Sequence, residues 1–119
     1  MMKNLLLVGL GGGVGSIARY LCTRILTTRD FPLATFIVNV TGCLIIGLLF
    51  GLFMKQSFSE SKYLLLLTGF CGGFTTFSAF TLEGNELLKN DKIGLFLLYT
   101  GASVILGLGA TWLGIRLTR

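Results

Sequence analysis

This 119-residue chain contains no histidine, so no histidine-based metal site or catalytic triad can be built from it. It has one proline and no low-complexity tract, which leaves little room for linkers. A single domain is expected. Acids are few, five against ten bases, and none precedes Asp30. Cys22, Cys43 and Cys71 are odd in number, lie in apolar segments and form no C-x-x-C pair. They read as buried free thiols and say nothing about redox compartment. No enzyme constellation remains.

What is present belongs to a membrane. Hydrophobic residues make up 53% of the chain, charged residues 13%, and the mean hydropathy is +0.83. Apolar stretches run over about 4–27, 32–54, 62–88 and 93–115. Each reaches or exceeds the roughly 20 residues that a helix needs to cross the hydrocarbon core. Short separators, "TTRDFP", "KQSFSES" and "KNDK", hold many of the bases. Met1 to Ala18 has the outline of a signal peptide, but cleavage there would leave three spans, and "GLGGGVG" makes a poor h-region. The expectation is an all-α membrane protein of four spans. The net charge of +5 does not point to nucleic acid, because the bases sit at helix ends as interfacial anchors.

Gly13-Val-Gly15-Ser-Ile-Ala18 satisfies the loose dinucleotide pattern G-x-G-x-x-A, yet no strand precedes it and the first acid is in a turn. The same region supplies Gly9-x-x-x-Gly13 and Gly11-x-x-x-Gly15, followed by Gly47-x-x-x-Gly51 and Gly69-x-x-x-Gly73. Close helix packing accounts for these pairs.

With four spans, Lys3, Lys55, Lys62, Arg116 and Arg119 share one side. Arg24, Arg29, Lys89 and Lys92 share the other, with Arg19 deeper in the first helix. A lysine and arginine bias orients a membrane protein, and here there is almost none. Either other signals orient the chain weakly, or it inserts both ways up. The second is favoured because it allows an antiparallel homodimer.

Polar residues interrupt the apolar runs. Thr35 and Asn39 share a face of the second helix, and Tyr99, Ser103, Gly107 and Thr111 form an i, i+4 stripe on the fourth. In "GFCGGFTTFSAF" the third helix turns from glycine to Thr75, Thr76 and Ser78, a pattern that breaks a helix at mid-membrane depth. Interhelical hydrogen bonds would explain one or two of these groups. Together they read as a lined pathway, since irregular backbone at that depth must be buried or face water. The lining offers hydroxyls, one carboxamide and the rings of Phe77 and Phe80, whose edges carry the positive part of the quadrupole. That is chemistry for a small anion.

"GFCGGFTTFSAF", "GGGVGSIARY" and "FPLATFIVNVTG" closely resemble the signature segments of the Fluc (CrcB) family of fluoride channels, and the likeness spans the whole chain. The resemblance implies an antiparallel, dual-topology homodimer in the inner (plasma) membrane, with two pores that pass fluoride and reject chloride. Asn39, Phe77, Phe80 and Ser78 match pore-lining positions, and Thr35 matches a polar position nearby. Tyr99, Ser103 and Thr111 match the fourth-helix polar track, Arg19 the vestibule arginine, and Glu83 the acid after the motif. Gly72 and Thr75 match helix-break residues whose carbonyls, two from each subunit, hold a structural sodium ion (Na⁺). The chain departs from the family pattern at Ala34, Ala79 and Gly107. Fluoride enters cells as HF and is trapped as F⁻, so a passive channel would let it leave. Two rival readings are a small multidrug exporter, which needs a membrane-embedded glutamate that residues 4–27 lack, and a non-transporting accessory subunit.

Overall fold

The computed structural model describes residues 1–55 and 58–119. Four helical stretches are long and apolar enough to cross a membrane: Met2–Ile25, Leu33–Met54, Glu60–Lys89 and Ile93–Thr118. The molecule extends 47 Å along its long axis. That matches a bilayer of about 40–45 Å with its headgroup regions included.

Helix α1 (Met2–Ile25) is followed by a turn in which Pro32, at φ −75°, caps α2 (Leu33–Met54). The third span is composite. A short helix α3 (Glu60–Tyr63) starts on the side-chain oxygen of Ser59, which accepts from Lys62 N. A π-helical segment (Leu64–Cys71) and a last turn α4 (Gly72–Phe74) follow. Thr75 (φ −87°, ψ 156°) and Thr76 (φ −148°, ψ 116°) are extended, and α5 (Phe77–Lys89) begins after them. Helix α6 (Ile93–Thr118) completes the chain.

The break therefore falls on the two threonines and not on Gly72-Gly73. Both glycines are helical, and none of the described glycines has a positive φ. β-Branched residues prefer extended backbone, and Thr76 also starts α5, its hydroxyl accepting from Ala79 N at 3.2 Å.

Small residues set the packing. Helix α1 lies against the π segment and α4, while α2 lies along α6. A Cβ on Gly11 would sit 2.9 Å from Phe70 N, and one on Gly15 would sit 2.8 Å from Phe74 N. One on Gly73 would approach Gly12 Cα to 2.9 Å, and one on Gly114 would approach Leu48 N to 2.6 Å. Gly47 and Gly51 bring α2 onto α6 in the same way. Gly9 and Gly13 are different: each has open space within 4 Å, so that pair packs nothing within the subunit. Gly15→Ala or Gly73→Ala is expected to cost about 3 kcal/mol or more, because backbone rather than a flexible side chain must move. Gly9→Ala should stay within about 1 kcal/mol of the parent. Thermal unfolding in detergent measures both.

The turns at 26–32 and 90–92 meet on one side of the molecule, where Lys92 Nζ pairs with Asp30 Oδ1 at 2.9 Å.

Candidate functional site

An extended Thr76 within a helical span exposes a peptide that needs hydrogen-bond partners. Asn39, from α2, supplies them. Its Oδ1 accepts from Thr76 N at 2.9 Å, and its Nδ2 donates to Thr76 O at 3.1 Å. The carboxamide thus acts as a neighbouring strand would, and both of its polar ends are occupied. Cys71 O accepts from Thr75 N at 3.0 Å and from Thr75 Oγ1 at 2.8 Å. Gly73 O accepts from Arg19 Nε at 3.0 Å, so a cation caps the carboxyl end of the broken helix. Among the described residues, the carbonyls of Gly72 and Thr75 accept no hydrogen bond. Gly72 is exposed, with open space where a Cβ would stand.

Three cavities run from this break toward the 26–32 turn. The first, about 320 Å³, is lined by Asn39, Phe77, Phe80 and Ser103 together with Thr75 and Thr76. The second, about 260 Å³, is lined by Arg19, Thr35, Thr76 and Glu83 among others. The third, about 190 Å³, is lined by Asp30, Glu83, Glu86 and Lys92 among others. Thr76 borders the first and second cavities, and Glu83 borders the second and third. Their walls change from aryl and hydroxyl groups at the break to charged groups at the turn.

Seven of the ten expected pathway residues line these cavities, and Tyr99 bridges them. Its ring is fully buried, 5.1 Å centroid to centroid from Phe80 and 5.5 Å edge-on from Phe31. Its hydroxyl donates to Glu83 Oε1 at 3.5 Å, a long contact. The rings of Phe77 and Phe80 lie 5.7 Å apart and tilted, with Phe77 77% exposed in the single subunit. Ser78 is exposed on α5, its Oγ 3.2 Å from Thr76 Oγ1. Thr111 lines none of the three, and its hydroxyl donates to Cys43 O at 2.9 Å. Ser103 Oγ is buried without a hydrogen-bond partner among the described residues.

Two contributors, Thr76 and Phe31, are not among the positions that the family resemblance assigns. Thr76 was visible as a hydroxyl after the glycines, and its place immediately before Phe77 and the helical run that follows marks an N-cap. Phe31 stands beside the proline of a turn, and nothing local to it announces a contact with α6.

The CrcB-like protein, Camphor Resistance (CrcB) family model matches residues 6–115. A Rhodococcus jostii protein named fluoride-specific ion channel FluC 2 is 51% identical, over 97% of this chain and 98% of its own. Proteins named fluoride-specific ion channel FluC from Gloeothece citriformis and Flavobacterium psychrophilum are 49% and 47% identical, each over 99% of this chain and 98% of its own. The match takes in all four spans, the clamped break and every cavity-lining residue named above, and the chain is a multi-pass membrane protein of the CrcB family.

Proposed function

We propose that this protein is a passive, fluoride-selective channel that lets cytoplasmic fluoride leave the cell, with two pores in an antiparallel homodimer. The observation that carries the reading is the succession of three neighbouring cavities from the aryl-lined break to the charged turn, the first two sharing Thr76 in their walls and the last two sharing Glu83. Fluoride is small and firmly hydrated, so only close, fixed donors offset its dehydration. Phe77 and Phe80 offer ring edges, Thr76 and Ser103 offer hydroxyls, and Arg19 draws the anion electrostatically toward the path. A multidrug exporter has no acid to work with in Met2–Ile25.

A sodium ion fits the break. Gly72 and Thr75 present neutral, hard carbonyl oxygens with no hydrogen bond among the described residues, the donor type that such a cation takes. These carbonyls, with the same pair from a second copy, would hold it, and the ion would supply positive charge between the two anion routes. Asn39 and Arg19 keep the carbonyls available by occupying the neighbouring peptides themselves.

Fluoride efflux from liposomes containing only this protein tests the function, with chloride efflux as the control. Fluoride release without chloride release is expected; no release would end the channel reading in favour of an accessory role. Phe77→Ile and Phe80→Ile keep apolar volume and should fold. Each should slow fluoride release by about tenfold or more through loss of a ring edge. Parent-like release from the double variant would remove both rings from the mechanism.

A further inference from the structure

The first cavity is also lined by two thiols for which anion passage has no use. Cys43 reaches it from α2, and Cys71 from the end of the π segment. Both are free, and Cys71 is 2% exposed. Each backbone is pinned by a threonine: Thr111 Oγ1 donates to Cys43 O at 2.9 Å, and Thr75 Oγ1 donates to Cys71 O at 2.8 Å. The sulfur of Cys43 stands against Gly107, where an added Cβ would be 3.4 Å away. One turn back on α6, the buried Ser103 hydroxyl borders the same cavity and lacks an acceptor among the described residues.

We propose that this cavity binds a soft monovalent metal ion, of the Cu⁺ and Ag⁺ class, between the sulfurs of Cys43 and Cys71, and that its occupancy blocks the anion route. Soft thiolates select such ions, whereas the carbonyls of Gly72 and Thr75 suit a hard one, so the two sites do not compete. On binding, each thiol releases its proton to solvent and its sulfur gives a lone pair to the metal; no electron is transferred. One positive ion with two thiolates leaves a net single negative charge in the cavity. That charge gives the Ser103 hydroxyl an acceptor and repels an entering anion. The block rests on the channel reading above; the binding does not.

Silver nitrate in chloride-free buffer is the probe. Detergent-solubilised protein is exposed to Ag⁺, desalted and assayed for silver and for protein. The parent and Cys22→Ser should retain about one ion per subunit, and Cys43→Ser/Cys71→Ser should retain less than about a fifth of that, as expected when both soft ligands are lost. In liposomes, Ag⁺ should slow fluoride release by about tenfold or more in the parent and in Cys22→Ser. In the double variant the change, relative to its own silver-free rate, should stay below about twofold. Silver content that is unchanged in the double variant, or that follows Cys22, overturns the site. Bound silver with undiminished release overturns the block. If the parent releases no fluoride at all, the channel reading fails, while the silver count still decides the site.

Discussion

Asn39→Asp is expected to lower fluoride release at pH 7 by a factor on the order of 10²–10³, and acidification is expected to restore it. Asparagine gives the Thr76 peptide one donor and one acceptor, at 3.1 and 2.9 Å. An ionised carboxylate only accepts. It keeps the bond from Thr76 N but sets an oxygen against Thr76 O, at a stability cost of about 1–3 kcal/mol. It also puts a fixed negative charge on the wall of the first cavity, where like charges about 4 Å apart repel by roughly 4 kcal/mol at an effective dielectric of 20. Protonation reverses both effects, because a carboxylic acid again carries one donor and one acceptor and no charge. Release by this variant should therefore rise as pH falls, measured as the ratio to parent at each pH. A folded variant that releases fluoride at the parent rate at pH 7 would show that Asn39 neither holds the break nor borders the route.

Biasing the insertion should also remove most of the activity, without touching the pathway. Thr27, Leu88 and Asn90 are exposed at the end of the molecule that carries the Asp30–Lys92 pair. Lysine at all three tips a near-balanced chain toward one orientation. In the antiparallel assembly proposed above, a uniformly oriented population has no inverted partner, and the Gly72 and Thr75 carbonyls of two subunits cannot converge. Fluoride release should then fall below about a tenth of the parent at equal protein, because orientation follows lysine and arginine placement. Co-expression with Met54→Lys/Glu60→Lys, exposed positions at the opposite end, should return it through complementary pairing. Parent-like release by the triple variant alone, with labelling that confirms one orientation, would rule out both the inverted dimer and the shared sodium.

The features legible in the sequence are those with a local or periodic signal. Apolar runs located the four spans, which end within about three residues of the run boundaries because charged and turn residues stop them. Tyr99 and Gly107 are buried and Ser103 is half-buried, one inward face of α6 as their four-residue spacing requires. Glycine pairs located close packing, but spacing could not tell the packed Gly11 and Gly15 from the open Gly9 and Gly13, since the partner helix lies more than forty residues away. Long separations also hid the two backbone anchors. Asn39 and Arg19 look like pathway groups in the sequence, and their bonds to Thr76 and Gly73 span separations of 37 and 54 residues. The π turns left no trace at all in "LLLLTGFC", which has the apolar composition of an ordinary helix.

That segment governs which changes of length the third span can absorb. Turns closed by i→i+5 bonds hold more residues than α turns and commonly mark a helix accommodating an extra residue. Removing one residue from Leu64–Cys71 can return the segment to α geometry while the faces of Gly69 and Gly73 stay against α1. The same deletion in α2 has no slack to draw on, and everything beyond it turns by about 100° around the helix axis. Gly42, Gly47 and Gly51 would then leave their neighbours together. The composite third span can accordingly be shortened by a residue within a tightly packed membrane bundle, and α2 cannot.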